Sequence, residues 1–283
     1  MELLGSTFGT TASAYFNLET GVSIVSVYLT GKKGLSAGKK AAIFSGLEQM
    51  RKFGLDPQPG EIEAKKVKRE DWAESWKKHF KAMEIGKALL VKPSWIKKSP
   101  RKNQAVVILD PGLSFGTGQH ATTSFCLSEI VRLQKKEQSK SFLDIGTGSG
   151  ILAISAAKLG YQPVEAFDFD PESVRVAKAN AAVNDVSKKI KLSRGDVTKL
   201  PLRAPEKYDL VCANLISNLL VAERKRIVNR VKPDGTLVLA GILAVEFGEV
   251  QVAFESLGWK LVADKVEKEW RSGSFQLVRK NSQ

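Results

Sequence analysis

Asp144-Ile145-Gly146-Thr147-Gly148-Ser149-Gly150 sets an acid just ahead of three alternating glycines, between the apolar pair Phe142-Leu143 and the helical run Ile151 to Leu159. Glycine lets a backbone approach a ligand closely and take dihedrals closed to other residues, and a helix start offers free N–H groups. Two ligand classes use such a strand–turn–helix. The dinucleotide fingerprint needs its third glycine where this chain has Ile151. A G-x-G-x-G turn behind a strand-terminal acid suits S-adenosylmethionine instead: its methionine amino group is a cation that pairs with a carboxylate such as Asp144, and it carries no pyrophosphate. In the same reading Gly146 and Gly148 let the main chain pass beside the methionine part.

Further polar residues recur at the ends of the apolar runs that follow: Asp168, Asp196 in Ser193-Arg194-Gly195-Asp196-Val197, and Asn214 in Val211-Cys212-Ala213-Asn214. Ligands of an open parallel sheet sit beyond the C-terminal ends of its strands, so these residues belong to one site. An acid at the second strand end can accept both ribose hydroxyls, the role expected of Asp168. Asp196 is placed to meet the adenine amino group, and Asp170, before Pro171, reads as a helix N-cap. Asn214 stands nearest the chemistry. Transfer of a methyl group from a sulfonium to an amine is an in-line displacement, and a lysine with a free pKa of about 10.4 must first lose a proton. Carbonyl acceptors at Asn214 can align that amine, and positioning can supply effective molarities of roughly 10⁵ M or more, so no dedicated base is assigned.

The elements that must position these residues follow from periodicity. From residue 142 onward strands and helices alternate: Val164 to Phe167, Pro171 to Asn184, Ile190 to Leu192, Tyr208 to Ala213, Asn218 to Val231, Thr236 to Ala240 and Val245 to Leu257. Such alternation means right-handed crossovers and a parallel sheet. Two last strands, near Lys260 to Asp264 and Ser274 to Arg279, are too close for a crossover helix and should pair antiparallel. Upstream, Ala14 to Val27 suggests one or two strands, Ser36 to Phe53 a helix stopped by Gly54, and Asp56-Pro57-Gln58-Pro59-Gly60 a linker. Ile62 to Val67 reads as a strand. Glu70 to Phe80 reads as a helix with Trp72, Trp76, His79 and Phe80 on one face, where His79 is packing rather than chemistry. Leu89 to Val91 and Val106 to Leu109 read as strands around the turn at Lys97 to Pro100. A second glycine loop, Asp110 to Thr123, precedes the helix Ser124 to Leu133 and has the composition of a lid. The expected domains are 1–58, a small N-terminal α/β module; 59–109, a linker helix with connecting strands; and 110–283, the domain that carries the glycine turn.

Composition narrows the classes further. With 283 residues the chain can bury a sizeable core, and 44 Lys and Arg against 30 Asp and Glu leave a formal charge of +14. That field attracts anionic partners such as RNA, ribosomal surfaces or acidic proteins, and a plain solvated basic surface is an equal reading. No basic block interleaved with aromatics is present, so sequence-specific nucleic-acid binding is not expected. Two cysteines, Cys126 and Cys212, lie in separate apolar segments and read as core residues of a reducing compartment, and two histidines with no cluster argue against a metal site. No apolar run suits a bilayer span, so a cytoplasmic protein, expected as a monomer, is the default. A nicotinamide-binding oxidoreductase and a non-catalytic basic RNA-binding module are the readings from other classes.

At these motifs the chain resembles the class I S-adenosylmethionine-dependent methyltransferases, and among them the bacterial family that methylates large-subunit ribosomal protein eleven (PrmA type). The resemblance is carried by Glu70-Asp71-Trp72 with Trp76, Lys92-Pro93-Ser94-Trp95, Asp110 to Thr123, Asp144 to Gly150, Phe167-Asp168-Phe169-Asp170, Ala213-Asn214-Leu215 and Leu239-Ala240-Gly241-Ile242-Leu243. The Phe115-Gly116-Thr117-Gly118-Gln119-His120-Ala121-Thr122-Thr123 loop is its most specific part. It implies an α/β fold with a Rossmann-like seven-stranded sheet whose last strand is antiparallel, and a small N-terminal α/β substrate-recognition domain. It also implies that Thr123, Gly146, Asp168 and Asn214 contact the cofactor, that the loop around Phe115 closes over it, and that the acceptors are lysine ε-amino groups and an α-amino group of a ribosomal protein, free or on the ribosome. Departures are a shorter N-terminal module and Lys81 where the family has a histidine. The alternative acceptor is another protein lysine or a small amine.

Overall fold

The computed structural model describes residues 2–10, 12–16, 23–29, 35–54, 60–64, 80–110, 120–134 and 139–278. The expected helix Glu70 to Phe80 lies outside them up to His79, as does the glycine loop from 111 to 119. The chain divides into two compact units, Met1–Ser75 and Trp76–Gln283.

In the first unit, helix α1 (Glu2–Phe8) precedes an antiparallel pair, β1 (Ala12–Phe16) and β2 (Ser23–Val27), registered from Ala12 opposite Val27 to Phe16 opposite Ser23. Helix α2 (Ala37–Lys52) starts at Ser36, whose hydroxyl oxygen accepts from the Lys39 N–H at 3.3 Å, and stops before Gly54 with φ of 80°. The two helices touch at Gly46, where any Cβ would collide with the Leu3 side chain.

The larger unit begins with a three-stranded sheet, β3 (Met83–Ile85), β4 (Leu89–Lys92) and β5 (Ala105–Ile108), in which β4 pairs antiparallel with β3 and parallel with β5. Strand β3 has too few residues to show a period, which is why sequence reading passed over it. Helix α3 (Ala121–Leu133) leads to the central strand β6 (Phe142–Ile145), and the chain then alternates through α4 (Ile151–Lys158), β7 (Val164–Asp168), α5 (Pro171–Val183), β8 (Ile190–Arg194), β9 (Tyr208–Asn214), α6 (Ser217–Val228), β10 (Val231–Leu243) and α7 (Phe247–Glu255). Strands β11 (Trp259–Glu267) and β12 (Trp270–Leu277) complete a seven-stranded sheet of order β11-β12-β10-β9-β6-β7-β8. Strands β6 to β10 are parallel, and β12 is antiparallel to both neighbours, as the short hairpin loop between β11 and β12 requires.

Period-two alternation assigns the core to the two faces of this sheet. Phe142, Ala166, Leu210, Cys212 and Val238 belong to a cluster with Phe125, Ile130 and Ile154 of α3 and α4. Leu143, Ile145, Val211, Ala213 and Leu237 join Leu220 and Phe247 of α6 and α7 in the other. One boundary departs from expectation: helix was expected through Val231, but α6 ends at Val228, because Val231 pairs with Tyr208 in the sheet. No helix among the described residues is long and apolar enough to cross a membrane.

Candidate functional site

Asp144 sits on the buried β6, and the turn after it is tied down on three sides. The Gly146 and Thr147 N–H groups donate to the Phe167 carbonyl at 3.0 and 3.1 Å, the Gly148 N–H to Asp168 Oδ2 at 2.9 Å, and the Asn180 amide to the Ser149 carbonyl at 2.8 Å. All three glycines are left-handed, with φ of 74° at Gly146, 53° at Gly148 and 82° at Gly150. Only glycine takes such dihedrals freely. Their small size is used as well. A Cβ at Gly150 would come within 3.0 Å of Ala177 Cβ on α5, and one at Gly146 within 2.5 Å of Leu215 Cδ2.

The carboxyl of Asp144 is 1% exposed; its Oδ2 accepts from the Thr147 hydroxyl at 2.6 Å, and among the described residues its Oδ1 has no hydrogen-bond partner. Burial pushes its pKa up to about 7, helped by the Asp168 charge and opposed by the Thr147 hydroxyl and the Ala153 N–H. An acid held in this way has a strong electrostatic preference for a nearby cation.

Asp168 ends β7 and is 7% exposed, with Oδ2 on Gly148 and Oδ1 accepting from the Asp170 N–H at 3.0 Å. Asp170 caps α5 as expected, accepting from the Glu172 N–H at 3.0 Å and from the Ser173 N–H at 3.3 Å. These bonds satisfy two of the free donors at the helix start. Asp196 also works as a cap. Its Oδ1 accepts from the Thr198 N–H and hydroxyl at 2.9 and 2.8 Å, and these bonds hold its carboxyl below the usual range.

Asn214 ends β9 opposite Ala240 of β10, and the Leu215 N–H donates to the Ala240 carbonyl at 3.0 Å. Next to it Gly241 has φ of 82°, and a Cβ there would lie 2.6 Å from the Leu215 carbonyl oxygen and 3.0 Å from Asn214 Oδ1. The Asn214-Leu215 pair is therefore wedged between the glycine turn on one side and Gly241 on the other. The Asn214 amide makes no hydrogen bond to any described residue.

Thr123 is 3% exposed in the first turn of α3. His120, the N-cap of that helix, brings Nδ1 to 2.8 Å from the Thr122 hydroxyl and packs edge-on against Trp270, with ring centroids 4.7 Å apart. Sequence reading gave neither ring a role: His120 stood in a quoted motif, while Trp270 carried no signal. A buried bracket holds α3 in place, for Glu129, 5% exposed, accepts from the Ser274 hydroxyl of β12 at 2.5 Å and from Arg132 at 2.7 Å. Burial opposes ionisation of Glu129, but Arg132 and Ser274 together outweigh it and hold the pKa low.

The structure thus gathers Asp144, Gly146, Gly148, Asp168, Asp196 and Asn214 at one edge of the sheet. Among the described residues no group of His, Cys, Asp or Glu could hold a metal ion.

In sequence and in fold the chain is similar to known proteins. The model of the ribosomal protein L11 methyltransferase (PrmA) family matches residues 19–277. This chain belongs to that family. A ribosomal protein L11 methyltransferase from Trichlorobacter lovleyi is 42% identical over 207 residues, 71% of this chain and 66% of the relative. One from Desulfitobacterium hafniense is 38% identical over 258 residues, 89% of this chain and 78% of the relative. A crystal structure of a ribosomal protein L11 methylase from Lactobacillus delbrueckii subsp. bulgaricus superposes with a TM-score of 0.62 at 28% identity, covering 70% of this chain and 99% of that one. As a class I methyltransferase of this family, the chain uses S-adenosylmethionine as methyl donor. The residues present fit that donor: a buried acid with an unpartnered oxygen for a cation, a strand-end turn of three left-handed glycines, and no third glycine at Ile151 for a dinucleotide.

Proposed function

We propose that this protein transfers methyl groups from S-adenosylmethionine to amino groups, lysine ε-amino groups foremost, of ribosomal protein L11. The observation that supports it most is the family match over residues 19–277 taken with the packing of Leu215, the neighbour of Asn214, against the Gly146 turn. When bound, S-adenosylmethionine supplies an electrophilic methyl group on a sulfonium.

The chain's own residues do the rest. Asp144 provides the countercharge for the methionine ammonium, and Gly146 and Gly148 admit the amino-acid part beside the main chain. Asp168 accepts from the ribose hydroxyls with lone pairs not taken by Gly148 and Asp170. Asp196 receives the adenine amino group at the oxygen that Thr198 leaves open, and Thr123 closes the site from α3. Asn214 Oδ1, with the adjoining main-chain carbonyls, accepts from the acceptor amine and aims its lone pair. With the amine held in line and water excluded, no residue is needed as a dedicated base. Residues 110–283 form the catalytic domain in this reading, 59–109 connect it, and 1–58 select the substrate protein. A cytoplasmic monomer acting on the ribosomal protein, free or on the ribosome, completes the proposal.

The test is incubation with methyl-labelled donor and unmethylated large-subunit proteins. Label in L11 is expected, in acid-stable methylated lysine. Label in a different protein would move the acceptor, and label in none would remove the ribosomal assignment.

A further inference from the structure

Beside Asn214 the sheet edge carries a further carboxylate, which the donor site does not use. Glu246 follows β10 and stands at the N-cap position of α7; its Oε2 accepts from the Ser217 hydroxyl at 2.5 Å, and Ser217 opens α6 directly after the Asn214-Leu215-Ile216 link. Ser217 is itself buried, so the acid is fixed in place by a rigid donor. Among the described residues the other oxygen, Oε1, has no hydrogen bond, and no cation pairs with Glu246. On the same edge Asp144 is enclosed, Asp168 accepts from two N–H groups and Asp196 caps a turn. Glu246 is thus a partly exposed acid of this edge, held by one oxygen with the other open.

Its neighbours are unusual too. Ile216, just before Ser217, is 67% exposed, and Val245, just before Glu246, is 90% exposed. A brace between two helix N-termini would explain why the carboxylate is held there. It does not explain apolar side chains left in water on both flanks. A lysine presents an aliphatic stem and a cationic head, and these three side chains complement both parts.

We propose that Glu246 is a specificity-determining residue that receives the cationic head of the acceptor amine, while Ile216 and Val245 take its aliphatic stem on the way to Asn214. This rests on the amine-acceptor reading above and deepens it. Glu246 selects an ammonium over neutral or anionic acceptors; the ammonium releases its proton to bulk water at this exposed edge, and Asn214 and main-chain carbonyls receive the neutral amine.

Steady-state methylation of ribosomal protein L11 by the full chain tests it. Glu246→Gln keeps the shape and an oxygen for the Ser217 hydroxyl. It should raise KM for the acceptor about fivefold, as expected for loss of one solvent-accessible charge pair, with kcat at saturation and the donor dissociation constant by calorimetry held. Added salt should raise the wild-type KM more than the variant's. Ser217→Ala, which frees the carboxylate without removing it, should raise KM less, and Glu249→Gln on the exposed side of α7 should not change it. An unchanged acceptor KM in Glu246→Gln overturns the inference, as does a joint loss of kcat, donor affinity and melting temperature, which marks a structural brace. Absence of transfer to any amine by the wild type defeats the amine reading, and this inference with it.

Discussion

A buried carboxyl with an unpartnered oxygen costs free energy unless a ligand meets it, and Asp144 is in that position. Its folded pKa of about 7 lies above the ordinary 3.8, so the folded state binds the proton more tightly than the unfolded chain. Stability therefore falls as pH rises from 3.8 through about 7. Asp144→Asn should flatten this slope, which melting temperatures across that range would show; an unaltered slope would assign it to other groups. Asp168 answers to a different measurement. Asp168→Ala strands the Gly148 N–H and removes the acceptor proposed for the ribose, so donor affinity should fall by more than about 1 kcal/mol in a calorimetric titration. Asn214→Ala should instead lower kcat far more than donor affinity, because among the described residues its amide is uncommitted and, in the proposed mechanism, receives the acceptor amine rather than holding the turn. Equal losses would make Asn214 a donor ligand only.

At the scale of elements, the site is made by strand ends that meet where side chains are absent. Gly241 interrupts β10 between Leu239 and Ile242, where the register with β12 shifts, and its left-handed backbone gives the Leu215 carbonyl room. For Gly241→Ala the left-handed backbone alone costs roughly 1–2 kcal/mol. The added methyl also makes a contact to which the backbone of Leu215 must yield. Turnover should drop by at least an order of magnitude, while donor binding, which depends on the Gly146 turn, falls less; parallel losses in the two assays would show that the strand end moves as one piece. Helix α3 depends on the Glu129–Ser274 bracket in a similar way. Ser274→Ala leaves a buried carboxylate short of one donor and should cost roughly 1–3 kcal/mol in a denaturant melt.

Across the whole molecule, residues 76–283 hold both hydrophobic clusters and all the residues proposed for the donor site, whereas the unit before them is smaller. Expressed alone, 76–283 should bind S-adenosylmethionine with the affinity of the full chain but methylate the ribosomal protein poorly, an outcome calorimetry and labelling would read together. Much of this organisation was legible in the amino-acid order. The strand-helix alternation after residue 142, the acid before each turn and the missing glycine at Ile151 specify a parallel sheet and the kind of donor it holds, because period and turn chemistry are local properties of the chain. The antiparallel β11–β12 hairpin followed from the length of its loop. Other features were decided only by packing. That Leu215 fills the space above Gly146, that His120 meets Trp270 and that Ser217 holds Glu246 are contacts between residues distant in sequence, fixed by strand register and by which faces cover the core. Local pattern determined the donor site's parts; tertiary packing decided what stands beside them at the acceptor's edge.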